Sequence, residues 1–142
     1  MSRPKKRVLL YCAGEDMLGR FGYLLSVRGG YNVTIFADYV VLGYDLANAS
    51  PGIFDAAVVI GFGRELELAM QVVRAIKRAD PGIRCLLLHN LDEPSGIWSR
   101  SLADIAVNAS SGVAELLERL RTLTARKRGR RPVVRPAREV AA

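Results

Sequence analysis

The stretch "FDAAVVIGFGRELELAMQVVRAIKRADPGIRCLLLHN", residues 54–90, decides the fold. It reads as a strand over 54–62, a helix over 64–82 that stops at Pro81-Gly82, and a strand over 83–90. The helix is amphipathic, with one apolar face formed by Leu66, Met70, Val73 and Ile76. Both strands are nearly continuous apolar runs, which is typical of parallel strands covered on both faces. The stretch therefore predicts a right-handed strand–helix–strand unit in a parallel sheet.

The same alternation extends in both directions. Strands are predicted in "KRVLLYC" (6–12), "YNVTIFAD" (31–38) and "DIAVNAS" (104–110), and helices over 15–30, 39–52 and 111–128. The segment 93–103 reads as a short helix or a loop. Five strands separated by helices predict an α/β three-layer sandwich with the flavodoxin-like strand order 2-1-3-4-5. In that fold, chemistry occurs at the carboxyl ends of the strands beside the first strand.

Two helices carry patterns whose packing can be predicted. For the last helix we expect Ser110 or Ser111 as the N-cap and a buried stripe formed by Val113, Leu116, Leu117 and Leu120. The second helix is more apolar than an exposed helix requires, through Tyr39, Val40, Val41, Leu42 and Tyr44. We expect core packing to account for most of these side chains, and a groove for a partner is the alternative.

Charge divides the chain into three parts. Of the net charge of +7, residues 1–7 contribute four positive charges and residues 125–142 a net six, which leaves residues 8–124 at −3. We therefore expect a flexible basic N-terminus (1–5), one domain (6–124) and a disordered basic tail (125–142). No apolar run is long enough for a membrane span, and the N-terminal apolar run is too short for a signal peptide, so a cytoplasmic location is expected.

The cysteines offer the first candidate site. Cys12 and Cys85 both lie in apolar strands, so packed thiols are expected rather than a disulfide, and two Cys with one His make a metal site improbable. Cys12 precedes a helix start, where a thiolate could bind or carry phosphate. Low-molecular-weight tyrosine phosphatases, however, have arginine where this chain has Leu18. Glu15 and Asp16 would repel phosphate and suit a helix start better. The alternative is a cysteine-based phosphocarrier or small enzyme, including a Cys12–His89 dyad over Gly61.

Residues 6–124 resemble, in order and spacing, the receiver domain of two-component response regulators. "FDAAVVI" resembles the third strand of that family, "AMQVVRAIKRADPGIRCLLLHN" its third helix and fourth strand, and "LADIAVNASS" its fifth strand and following turn. The resemblance implies a signalling domain in a phosphorelay, with Mg²⁺-binding acids after the first strand and an aspartate that accepts the phosphoryl group.

The functional positions implied by the resemblance hold other residue types. Cys12 and Ala13 stand in place of the acidic pair, and Ile60 or Gly61 in place of the phosphoacceptor. His89 replaces the hydroxyl residue and Asn108 the lysine. Because a hard divalent cation requires oxygen ligands, we expect no metal, no cofactor and no phosphorylation here. The prediction is a non-enzymatic, degenerate pseudo-receiver that acts through protein–protein contacts.

Two partner surfaces are predicted. Receivers use the face of their fourth helix, fifth strand and fifth helix for dimers and partners, and here that face would include Trp98, Arg100 and Ile105. Alternatively, Trp98 simply covers the edge of the sheet. The basic tail could bind nucleic acid or another polyanion by counterion release, although it lacks aromatic residues that would stack on bases. Its cationic residues are Arg126, Lys127, Arg128, Arg130, Arg131, Arg135 and Arg138.

Overall fold

The computed structural model describes residues 5–13, 15–49, 52–91 and 102–125, without the side chains of Glu15 and Asp16. The described residues form a five-stranded parallel sheet in the order β2-β1-β3-β4-β5, which confirms the predicted winding. The strands are β1 (Arg7–Cys12), β2 (Asn32–Phe36), β3 (Ala56–Ile60), β4 (Arg84–His89) and β5 (Ile105–Asn108). Strands β2 to β5 are each shorter at both ends than the sequence predicts, and β1 begins one residue later than predicted.

Four α-helices connect or follow the described strands. They are α1 (Glu15–Tyr23), which continues into a π-helical turn (Leu24–Arg28), α2 (Tyr39–Asn48), α3 (Leu66–Ala79) and α4 (Val113–Ala125). Helix α4 corresponds to the last helix predicted from the sequence, over 111–128. The segment 93–103, predicted as a short helix or a loop, lies largely outside the described residues and receives no helix number. None of the helices in the described ranges is long and apolar enough to cross a membrane.

The sheet separates two apolar layers, and strand alternation assigns each side chain to one of them. Val8, Leu10 and Cys12 of β1 belong to the layer that also holds Leu18 of α1 and Leu116 of α4. Leu9 and Tyr11 belong to the opposite layer, together with residues of α2 and α3. The predicted α3 face, Leu66, Met70, Val73 and Ile76, is buried in this second layer, as expected.

The ends of the helices differ in part from the prediction. Asp38 caps α2, since its carboxylate accepts hydrogen bonds from the N–H groups of Val40 (2.7 Å) and Val41 (3.2 Å). Neither Ser110 nor Ser111, the predicted N-cap residues, lies directly before the first residue of α4. Ser110 and Ser111 lie in a 3-10 turn, and Gly112, with a φ of 96°, precedes Val113. The backbone therefore turns sharply at Gly112, and Val113 is 39% exposed instead of belonging to the buried stripe.

The prediction for α2 is wrong in its main part. Leu42 is fully buried, whereas the other four apolar side chains, Tyr39, Val40, Val41 and Tyr44, are exposed. Helix α2 packs against β2 and α3 through Leu42 and the half-buried Leu46, so most of its other apolar side chains face away from the core.

Candidate functional site

The strand ends predicted to carry function lie along one edge of the sheet. In the parallel register, Cys12 pairs with Ile60, Ile60 with Leu88, and His89 with Asn108. The carboxyl ends of β1, β3, β4 and β5 therefore follow one another in that order. The structure thus brings the predicted positions to a common edge of the sheet.

The ends of β1 and β3 are apolar. Cys12 and Ile60 are both buried and belong to the layer beneath α1 and α4, and Ala13 is half-buried. Neither Ile60 nor Ala13 carries an atom that could bind a metal ion or accept a phosphoryl group through its side chain. Among the residues that the structure describes, no group of three or more His, Cys, Asp or Glu side chains could hold a metal ion.

Helix α3 approaches the sheet closely at Gly61. A Cβ atom built on Gly61 would lie 2.4 Å from Cβ of Ala69, 3.0 Å from Cα of Leu66 and 3.1 Å from the carbonyl oxygen of Glu65. Two of these three neighbours are backbone atoms, which cannot rotate away. The end of β3 therefore has no room for a side chain at Gly61, whether an aspartate or a smaller group.

The side chains of His89 and Asn108 bind the backbone near the end of β4. Nδ1 of His89 accepts a hydrogen bond from the N–H of Leu91 (3.2 Å), and Nδ2 of Asn108 donates to the carbonyl of Leu91 (2.6 Å). Oδ1 of Asn108 also accepts from the N–H of Ser110 (2.9 Å). Burial lowers the pKa of His89, which favours the neutral imidazole at neutral pH. Both side chains thus fix the turns that follow β4 and β5.

The proposed cysteine–histidine dyad is not present. Cys12, Ile60 and Leu88 belong to the layer beneath α1 and α4, and His89 follows Leu88 in the same strand. Because consecutive side chains of a strand point to opposite faces, His89 points away from the layer that holds Cys12. Helix α3 also covers Gly61, over which the two side chains would have had to meet. Cys85 is buried as well, and the two cysteines do not form a disulfide, as predicted.

Tyr11 and Asn90 are two further residues at this edge. Tyr11 is almost fully buried, and burial, followed by the carboxylates of Glu65 and Asp38, raises the pKa of its phenol. Oδ1 of Asn90 accepts a hydrogen bond from the N–H of Gly63 (3.0 Å), which holds the turn before α3. In the sequence, strand alternation identifies Tyr11 only as a core position. Asn90 can be recognised as a candidate because it is a polar residue that directly follows a buried strand.

A small cavity lies beside the ends of β4 and β5. It measures about 50 Å³ and is lined by Phe21, Leu88, Ala109, Gly112, Val113 and Leu116. Pockets that bind organic ligands measure about 300–1,000 Å³, so this cavity is too small for one. The expected absence of a cofactor stays a prediction.

The remaining predicted residues are only partly covered by the structure. Ile105 is half-buried and packs against the layer beneath α4, so its side chain is at most partly available to a partner. Trp98 and Arg100 lie outside the described residues, as do all seven cationic residues of the tail from Arg126 to Arg138. The side chains of Glu15 and Asp16, predicted to suit the start of α1, are likewise not described.

Comparison with known proteins shows the fold. No protein-family model matches the chain, and no curated protein matches it. Among solved structures, a CheY-like response regulator receiver domain from Methanospirillum hungatei is similar with a TM-score of 0.69 at 16% identity, over 86% of this chain and 95% of that one. A response regulator receiver protein from Sinorhizobium medicae gives a TM-score of 0.70 at 17% identity, over 85% and 95% of the two chains.

A structure described by another role has the same fold. A putative pilus assembly-related protein from Burkholderia pseudomallei is similar with a TM-score of 0.69 at 16% identity, over 84% of this chain and 90% of that one. The structural neighbours thus include receiver domains, and the parallel sheet with its 2-1-3-4-5 order is the CheY-like, flavodoxin-like fold. At these identities, the similarity establishes the architecture and not the activity.

Proposed function

We propose that the protein is a receiver-like signalling module that is not phosphorylated and that regulates its target by protein–protein contact. The observation that carries the proposal is the carboxyl end of β3. Ile60 is apolar and buried there, and helix α3 covers the backbone of Gly61. A receiver fold with no acceptor side chain at this place has a scaffold for presenting surfaces but no group for phosphoryl transfer.

The chemistry of the neighbouring positions supports the proposal. Formation of an acyl phosphate requires a carboxylate nucleophile, and the Mg²⁺ that assists it requires oxygen ligands. Cys12 and Ala13 supply no carboxylate, and Asn108 cannot neutralise phosphate charge as a lysine would. The amide of Asn108 is moreover engaged by the backbone of Leu91 and Ser110.

Incubation with acetyl phosphate and Mg²⁺, followed by intact-mass measurement, tests the absence of phosphorylation. We expect an unchanged mass, while a receiver domain that retains its aspartate gains one phosphoryl group under the same conditions. An adduct of one phosphoryl group on this chain would refute the proposal. Mapping of such an adduct to Cys12 would favour the cysteine-based phosphocarrier instead.

The predicted contact surface consists of Trp98, Arg100 and Ile105, on the face that receivers use for dimers and partners. The test is sedimentation velocity of the full chain and of a Trp98→Ser variant over a range of concentrations. If this face forms a homodimer, the variant dissociates at a higher concentration than the native chain, because a central tryptophan carries much of the binding energy of an interface. A Tyr23→Ser variant, which alters an exposed side chain of α1, is the control.

Nucleic-acid binding through the tail is the second candidate function. Arginine and lysine occupy seven positions from Arg126 to Arg138, next to residues 8–124, whose net charge is −3. Binding of a fluorescent DNA duplex at several salt concentrations tests it. Affinity that falls steeply with salt and is lost on deletion of residues 126–142 would support this candidate. No detectable binding at low salt would exclude it.

A further inference from the structure

Helix α2 has an apolar face that nothing in the described part of the chain covers. Val40 is 76% exposed and Tyr44 is 72% exposed, and the four-residue spacing places them on the same side of the helix. Val41 and Tyr39 extend this surface, which we call the α2 face. Exposed apolar side chains that lie next to one another on a helix are typical of a surface that functions in contact with something else.

The α2 face is preformed. The carboxylate of Asp38 caps the first turn of α2, Leu42 anchors the helix in the core, and Nδ2 of Asn48 donates a hydrogen bond to the carbonyl of Tyr44 (2.8 Å). A ligand would therefore meet side chains already held on a rigid helix. The backbone of α2 would therefore lose little conformational entropy when a ligand binds, which favours binding even where the contact area is small.

Charge selects the kind of partner. From Gly29 to Gly63 the chain contains three aspartates and no lysine, arginine or histidine. Of these aspartates, Asp55 accepts a hydrogen bond from the N–H of Arg7, whereas Asp38 and Asp45 lie at the start and in the middle of α2. Helix α2 and its flanking segments thus carry negative charge only, which favours arginine or lysine over anionic groups in a ligand of the α2 face.

Size and symmetry argue against a second copy of the chain as the occupant. In a twofold dimer the same surface meets itself, so the acidic α2 face would meet another acidic α2 face. At their observed exposures, Tyr39 and Tyr44 offer roughly 200 Å². Even with the two valines, the patch falls well short of the about 800 Å² per partner that a stable interface buries.

We infer that the α2 face binds a short segment of another protein in which small aliphatic side chains are framed by arginines. Its aliphatic residues would cover Val40 and Val41. Its guanidinium groups would stack on the tyrosine rings and pair with Asp45. This surface lies on α2, apart from the predicted face of Trp98, Arg100 and Ile105, and the inference does not depend on whether the domain is phosphorylated.

A titration monitored by amide NMR of the ¹⁵N-labelled full chain tests the inference. The probe is a synthetic peptide, RRPVVRPAR, which has the required chemistry and the sequence of residues 130–138. We expect its addition to shift the amide signals of residues 39–48. Replacing its arginines with glutamate, or its valines with serine, is expected to weaken binding about tenfold or more, because each removes one of the two attractions.

Helix α1 provides a matched control. Tyr23 and Val27 have the same residue types and spacing as Tyr44 and Val40, and they are 64% and 60% exposed, but Arg20 and Arg28 lie on the same helical segment. The double variant Val40→Ser/Tyr44→Ser is expected to lose the shifts, whereas Tyr23→Ser/Val27→Ser keeps them. Both pairs are exposed, so neither variant is expected to unfold the domain.

Three results would overturn the inference. The first is the absence of shifts at residues 39–48 with the native peptide. The second is equal binding of the glutamate peptide. The third is a change at the same signals when residues 126–142 are deleted and no peptide is present, since the chain's own segment would then be the occupant. The acetyl phosphate experiment can succeed or fail independently of all three.

Discussion

The substitution Gly61→Ala tests the close approach of α3 to β3. The added Cβ would lie 2.4 Å from Cβ of Ala69 and 3.0 Å from Cα of Leu66. Overpacking a buried site costs about 1–3 kcal/mol, and the backbone neighbours place this site near about 3 kcal/mol because they cannot move without displacing the helix. We expect urea denaturation, followed by circular dichroism, to show this loss of unfolding free energy.

A double-mutant cycle makes the expectation specific. Ala69→Gly alone is expected to cost about 1 kcal/mol through its lower helix propensity. In the double variant Gly61→Ala/Ala69→Gly the shortest contact disappears. Its loss of unfolding free energy is therefore expected to be about 1–2 kcal/mol smaller than the sum of the losses in the two single variants. The control is Gly43→Ala in α2, where a Cβ meets nothing within 4 Å and about 0.5–1 kcal/mol of stabilisation is expected.

The result that refutes this reasoning is a Gly61→Ala variant as stable as the native chain, or losses that simply add in the double variant. Either would mean that α3 does not rest on the end of β3. The steric part of the argument for a non-phosphorylated domain would then fail, whereas Ile60 and Gly61 would still offer no carboxylate to accept a phosphoryl group.

Three further predictions concern the strand ends and the sheet. Neither Cys12 nor Cys85 is expected to react with a thiol reagent in the folded chain, because both are buried and burial raises the pKa of Cys85 to about 12. Fast reaction of Cys12 in the native chain would favour the cysteine-based alternative instead. Because folding lowers the pKa of His89, the unfolded chain takes up its proton at higher pH, so unfolding free energy is expected to fall as pH drops below about 6.5. A His89→Asn variant, compared between pH 7.5 and 5.5 (about one unit on either side of that value), should lose this dependence, and an unchanged slope contradicts the assignment. Asp104→Ala is expected to lower the unfolding free energy by about 2 kcal/mol in urea denaturation. The reason is that Oδ2 of Asp104 accepts hydrogen bonds from Nζ of Lys77 and from the N–H of Cys85, both at 2.7 Å. A loss below about 0.5 kcal/mol would show that these hydrogen bonds contribute little.

The sequence predicted features that depend on local pattern. Continuous apolar strands and the amphipathic helix predicted over 64–82 specify a parallel sheet. The spacing of the elements favours the 2-1-3-4-5 winding, because few topologies satisfy right-handed crossovers. The residue types at the strand ends could also be read directly. That Cys12, Ala13 and Ile60 carry no carboxylate is a fact of composition that folding does not change.

The tertiary structure decided how much room and how much cover each residue has. The apolar residues of α2 gave no sequence signal that Leu42 alone would be buried, since burial depends on how narrowly the helix rests on β2 and α3. Likewise, a glycine after a strand is compatible with an open cleft, and only the position of α3 shows that Gly61 is covered. Pattern along a chain determines which elements form, whereas the packing distance between elements determines which side chains remain free to bind.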